Sequence, residues 1–322
     1  MRSVGICGSV CVSPSSHRQG GWFYRSLRPP QSMMTSRPRA TTTQLRIRQA
    51  ISDLYAAGLD DRLARRAERP APEPTTSPRQ AEDGAIDQDA DGVLVCRASL
   101  AAWERFVERQ CETMHTRSFE WRDGWVLAVE GCAWHQSRIA REIGWRLELA
   151  ATANGQRSRD RWLETHGASY VDGAAALLEP DNSLGPSRDM IQRGITRPRG
   201  LKSWRDLSTL KIEVGATRRW SDLERKAELW RQYVGVQYVL SLVVTRGFEV
   251  TQFRLDAVDE RQRFELPRAE IQRIQGPQTL VRFDGRRLLG LAPHQPLPEG
   301  FAGGREYLEI DLFDILEQVR GN

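Results

Sequence analysis

Thr209-Leu210-Lys211-Ile212-Glu213-Val214-Gly215 is the stretch on which the reading of this chain turns. Its residues alternate with the period of a β-strand, so Leu210, Ile212 and Val214 share one side and Thr209, Lys211 and Glu213 the other. Two opposite charges on a strand lying between helical segments are costly to bury without a purpose. An edge strand with a solvated polar face would carry them at no cost. The pattern by itself leaves both readings open.

Upstream, Leu177-Leu178-Glu179-Pro180-Asp181 ends an apolar run on an acid. Pro180 stops a strand ladder and rigidly aims Asp181, although Pro-Asp alone is also an ordinary turn. An acid at the end of one strand and an acid within the next can converge on one oxygen-loving cation. Mg²⁺ (or Mn²⁺) suits such a pair, since it accepts one or two carboxylates, keeps several waters and leaves room for a phosphate. A nearby lysine would stabilise charge developing on phosphorus or activate the attacking water. Only three lysines, Lys202, Lys211 and Lys226, occur among the 47 basic residues, and all lie within this part of the chain.

Around the strand, the elements read as α then β. Residues 44–67 place Ile47, Ile51, Leu54, Tyr55, Leu59 and Leu63 at helical spacing, and Pro70, Pro72 and Pro74 end that helix. An acidic linker comes next, and the folded domain is expected over 93–322. Ser99 is placed to N-cap a helix with Trp103, Phe106, Val107, Cys111 and Met114 on one stripe. Asp123-Gly124 marks a hairpin between Phe119–Trp121 and Trp125–Val129. His135 to about Ala151 reads as a helix, and Ser169–Leu178 as a strand. Ser221-Asp222-Leu223-Glu224 is a capping box that opens a helix running to about Tyr233. Val236–Thr245 and Phe248–Leu255 form a hairpin, as do Thr279–Phe283 and Arg287–Leu291 around Asp284-Gly285. Tyr307–Val319 closes the chain with a strand or a short helix. The order describes an α/β fold with a central mixed sheet flanked by helices.

Composition narrows the class further. The net charge is +5, but the first fifty residues hold eight arginines and no acid, so +5 less +8 leaves −3 for residues 51–322. Global charge therefore does not make the body a nucleic-acid binder. Residues 1–43 read as a disordered leader whose acid-free, Arg/Ser-containing composition also fits a mitochondrial presequence. Residues 1–92 are thus expected to be a disordered, Arg-rich leader with one short amphipathic helix and a Pro/acidic linker. No apolar window is long enough for a membrane-spanning helix. Five scattered cysteines without a C-x-x-C pair argue against a disulfide scaffold, and an intracellular location is expected.

The run Phe119-Glu120-Trp121-Arg122-Asp123-Gly124-Trp125, then Val129-Glu130 and His135, resembles a restriction-endonuclease branch of the PD-(D/E)XK nuclease superfamily. So do Glu179-Pro180-Asp181-Asn182-Ser183, Thr209–Gly215, Leu223 and Arg225-Lys226-Ala227-Glu228-Leu229-Trp230. The combination is most similar to fungal members and covers roughly residues 97–320. The resemblance implies a restriction-endonuclease-like core and a metal-dependent phosphodiesterase acting on nucleic acid, DNA in particular. Many DNA-cutting cores pair up as a homodimer to cut both strands, and the sequence leaves the oligomeric state of this one open. Asp181 matches the first acid and Glu213 the second. The motif lysine normally lies two residues after the second acid, where this chain has Gly215. Members of this branch often carry it on the following helix, which matches Lys226. Lys211, on the face of Glu213, is the alternative on geometry. A catalytically silent nuclease-fold module that binds nucleic acid or protein is the competing expectation, supported by Gly215 and by the nearly neutral body.

His135 is read either as an extra water or metal contact or as a brace for the hairpin. Arg193, Arg197, Arg199, Lys202 and Arg205 make an acid-free loop that feeds the Glu213 strand, so they are expected to hang beside the metal site and grip a phosphate backbone. Cys111/His115 with Cys132/His135 miss the usual zinc spacing. Trp103, Trp121, Trp125, Trp145 and Trp230 fall on apolar faces and are read as core. No Gly-rich phosphate loop, Ser-His-Asp ordering or dinucleotide fingerprint is present.

Overall fold

The computed structural model describes residues 42–59, 62–63, 92–110, 118–129, 134–152, 161–167, 179–192, 195, 197–201, 203–245 and 247–321. The leader up to residue 41, the strand expected over 169–178, Glu130, Cys111, His115, Cys132, Arg193 and Lys202 lie outside these residues, as does the side chain of Arg205.

A six-stranded mixed sheet organises the larger part of the chain. Its strands are β4 (Leu163–Thr165), β5 (Asn182–Pro186), β6 (Leu210–Gly215), β7 (Tyr238–Val244), β8 (Thr251–Ala257) and β9 (Gln272–Arg273), side by side in that order. Only β6 and β7 run parallel; every other neighbouring pair is antiparallel. A parallel pair needs a crossover, and the helix Trp220–Trp230 supplies it. The strand Leu210–Gly215 is therefore central, with every residue buried. A solvated edge strand is excluded.

The two faces of this sheet differ in chemistry. Leu210, Ile212, Val214, Leu240 and Leu242 join the main core with Ile139, Ile143 and Leu147 from the helix α3 (Trp134–Ala150). The same core takes in β10 (Leu280–Asp284), its antiparallel partner β11 (Tyr307–Asp311) and the closing helix Leu312–Arg320. The opposite face, beneath Trp220–Trp230, carries Val239 and Val258 but also Lys211, Glu213, Ser241, Arg254 and Asp256, all buried. A polar layer between a helix and a sheet is expensive unless its members satisfy one another.

A second core is built by α1 (Thr42–Ala56), β1 (Val93–Arg97), α2 (Leu100–Gln110) and the hairpin β2 (Phe119–Arg122) and β3 (Trp125–Ala128). Ile47, Ile51, Leu59 and Leu63 are buried against Trp103, Phe106, Val107 and Phe119. The helix placed by sequence ahead of the folded domain is thus part of its core. Ser99 accepts from the Ala102 amide as the N-cap reading requires. Asp123 (φ 46°) and Gly124 (φ 86°) both take the left-handed conformation of a tight hairpin.

Two local expectations are corrected. The crossover helix begins at Trp220 with Arg219 as N-cap and no side-chain cap, so the Ser221 capping box does not form. Trp220 is held by its indole N–H on Gln252 Oε1 at 2.7 Å and by Arg254 over its ring, which pulls the start ahead of Ser221. Asp284-Gly285 makes no hairpin either. The Asp284 side chain accepts from the Arg286 and Arg287 amides and starts a short helix, Gly285–Leu288. Leu280–Asp284 pairs instead with the distant strand Tyr307–Asp311. No helix among the described residues is long and apolar enough to cross a membrane.

Candidate active site

Strand register brings the two predicted acids together. Asn182 pairs with Ile212 and Ser183 with Lys211 in an antiparallel ladder. Asp181 lies at the bend where β5 begins, close enough to Glu213 for its charge to raise that carboxyl. Asp181 Oδ2 accepts the Val214 amide at 2.7 Å, which pins this carboxylate to the end of β6. From Glu213 the row continues through Ser241 on β7 to Arg254 on β8.

Glu213 is held by the crossover helix. Its Oε2 accepts from Lys226 Nζ at 2.7 Å and its Oε1 from the Trp230 indole at 2.6 Å. Lys226 also donates to the Glu179 carbonyl at 3.1 Å, so this one amine ties the chain entering Asp181 to Glu213. Residues 226 and 230 are one helical turn apart and face the strand together. Burial pushes the Glu213 carboxyl up; Lys226 opposes this, Asp181 adds to it, and the group settles at about 7.

The expected lysine position at Gly215 is closed for a local reason. A Cβ there would lie 2.9 Å from Arg218 Cβ, inside normal van der Waals distance. Supply of the amine from the helix, by Lys226, avoids that collision. Lys211 plays a different part. Its amine makes no hydrogen bond and lies 4.9 Å from the centre of the Trp230 ring. Burial drives its pKa down to about 7 against the pull of Glu213 and Asp206.

His135 is 1% exposed. Its Nε2 is 3.2 Å from the Val244 carbonyl and its ring packs against Phe248, so it braces the β7–β8 hairpin. The neighbouring Gln136 donates to the Val214 carbonyl and is the residue of this helix that reaches β6. The basic loop is described only in part. It enters β6 at Leu210, whereas Asp181 meets the strand at Val214, roughly 13 Å further along at the usual rise per residue. Arg197 and Arg199 are exposed there.

Other arginines occupy the neighbourhood of the acids. Glu120 on β2 takes hydrogen bonds on Oε2 from Arg122 Nη2 at 2.8 Å and from Arg225 Nη2 at 2.6 Å. Arg218 stands 3.6 Å from its Oε1, and Arg122 is also 3.8 Å from Asp222. Burial would raise the Glu120 carboxyl, but Arg225, Arg218, Arg122 and Lys226 outweigh it and hold the group at about 2. Arg218 draws Glu213 down as well, so it acts on both sites. The sequence hides this cluster because Glu120 and Arg122 belong to a hairpin remote in sequence from Arg218 and Arg225. Trp230, expected in the core, is a direct partner of Glu213 through its indole N–H. Trp145, also expected in the core, is 37% exposed.

The donor set fits a small hard cation in a limited way. Asp181 and Glu213 are neighbouring carboxylates whose mutual repulsion a divalent ion would relieve. Among the described residues no group of three His, Cys, Asp or Glu side chains gathers. Two carboxylates are within what Mg²⁺ accepts when water and phosphate complete its shell. Comparison of the chain with protein-family models, curated proteins and solved structures finds no match.

Proposed function

We propose that this protein is a metal-dependent nuclease with a restriction-endonuclease-like PD-(D/E)XK core that hydrolyses phosphodiester bonds of DNA. One observation carries the proposal: the Asp181 carboxylate is tied to the Val214 amide next to Glu213, and Lys226 is delivered to Glu213 from the crossover helix. Asp181 and Glu213 are the residues that would hold Mg²⁺ or Mn²⁺. Such an ion, when bound, supplies Lewis acidity and lowers the pKa of water. Asp181 is oriented for that task by the Val214 amide, and Lys226 keeps a positive charge beside Glu213. Trp230 fixes the Glu213 rotamer, and Lys211 supports the indole from its ring face.

A second reading, a silent module of the same ancestry, is favoured by one observation. Both Glu213 oxygens already have partners within the protein, and the residue is only 1% exposed. Cleavage of single- and double-stranded DNA with Mg²⁺ or Mn²⁺ separates the two. The wild type is expected to cut, with Asp181→Ala and Glu213→Gln each reduced by a factor of a hundred or more, on the order of one lost catalytic metal ligand. Equal rates in all three proteins would remove the assignment. Binding without cleavage in any of them would establish the silent module.

A further inference from the structure

The outward face of α3 carries a ladder of tryptophan and arginine. At about 100° per residue, positions 134, 138, 141 and 145 fall within an arc of about 60°. Trp134 and Trp145 are 60% and 37% exposed, Arg141 is exposed and Arg138 is half-buried. The inward face of the helix is supplied by Ile139, Ile143 and Leu147, so none of the four is needed for the core. The two acids of the helix are engaged by other groups, Glu142 by Arg146 at 3.0 Å and Glu148 by the Thr165 amide at 2.8 Å. Arg138 lies 5.9 Å from the centre of the Trp134 ring, and neither it nor Arg141 forms an ion pair among the described residues. The ladder spans about 16 Å along the helix, the length of about five stacked nucleotides. It also adjoins the proposed catalytic acids. Gln136 donates to the Val214 carbonyl while Asp181 accepts the Val214 amide, and Asn182 donates to the Ala140 carbonyl. The first half of α3 is thus tied to the chain at both acids.

We infer that Trp134, Arg138, Arg141 and Trp145 form a binding track for single-stranded nucleic acid. Bases stack on the two indoles, and phosphates pair with the two guanidiniums between them. This inference rests on the nuclease reading for the class of polymer and adds the form of strand bound; it needs no metal. A duplex keeps its base faces inside its own stack, so only an unpaired strand offers a surface to both tryptophans. An anionic membrane would also attract the arginines. A helix that lies in a membrane surface, however, needs a broad apolar face to bury there, and the apolar face of α3 is already in the core.

Fluorescence anisotropy of a labelled oligothymidylate and of a labelled duplex, in EDTA across a salt series, tests the track. The wild type is expected to bind the single strand more tightly than the duplex. Trp134→Ala should weaken single-strand binding about tenfold with the salt dependence unchanged, and Trp134→Phe should recover most of it, since any aromatic face can stack on a base. The double variant Arg138→Gln/Arg141→Gln should lower the slope of log K against log salt by about 1.4, two phosphate contacts at about 0.7 each. Unchanged affinity in these variants, equal affinity for the duplex, or no binding by the wild type would each overturn the track. So would Trp134-dependent sedimentation with phosphatidylserine vesicles in place of strand binding. Trp134-dependent strand binding without Mg²⁺-dependent cleavage would keep the track and discard the hydrolase. Cleavage together with strand binding that ignores Trp134 and both arginines would do the reverse.

Discussion

Glu213 concentrates the energetics of the site in one side chain. A carboxylate only 1% exposed would suffer a large desolvation cost alone, and Lys226 and Trp230 answer it from one helix turn. The Glu213 carboxyl lies at about 7 in the folded protein, above the ordinary 4.5. Between those values the folded protein keeps a proton that the unfolded chain releases, so stability from this group is highest below pH 4.5 and falls as pH rises through 7. Lys226→Met removes the cation that offsets burial and raises the Glu213 pKa further. The variant should lose about 3–5 kcal/mol at pH 8, the cost of orphaning one member of a buried pair. Near pH 5 the loss should shrink to about 1 kcal/mol, since a protonated Glu213 misses only a hydrogen bond. Denaturant melts at the two pH values measure this. A pH-independent loss would mean that Glu213 does not change charge as described. Lysine placement followed from the resemblance, but the indole partner did not, because an apolar stripe hides the single polar atom of a tryptophan.

At the scale of elements, the crossover helix Trp220–Trp230 is what turns a buried strand into a site, and its start is set by tertiary contacts rather than by a local cap. Ser221→Ala should therefore change stability by less than about 0.5 kcal/mol, as an exposed substitution without a capping bond. Asp284→Ala, which removes a real cap from Gly285–Leu288, should cost about 1 kcal/mol. Comparable losses in both variants would restore the capping box at Ser221. The alternation in Leu210–Val214 was readable as a strand with Lys211 and Glu213 on one face. Its central position was not readable, since that depends on β5 and β7, drawn from distant parts of the chain. Asp-Gly misled at 284–285 for a related reason: the pair serves both as a tight turn and as a helix start, and only the pairing of Leu280–Asp284 with Tyr307–Asp311 decides between them.

Among the described residues, three buried apolar clusters accompany a buried polar layer beneath the crossover helix. A second core takes in Ile47, Ile51, Leu59 and Leu63, so the helix Thr42–Ala56 and the residues just after it contribute to it. Arg225 of the crossover helix bonds Glu120 on β2, and Lys226 of the same helix bonds Glu213. Two neighbouring acids with a lysine on one of them are the arrangement that the proposed metal-dependent hydrolysis would use. Mn²⁺ uptake, followed through the electron paramagnetic resonance of the free ion in wild type and Asp181→Asn, tests this most directly. One Mn²⁺ per chain is expected for the wild type, with affinity rising as the pH passes about 7 and Glu213 ionises, and a loss of at least about tenfold in Asp181→Asn. Identical uptake by the two proteins, or none by either, would contradict the account.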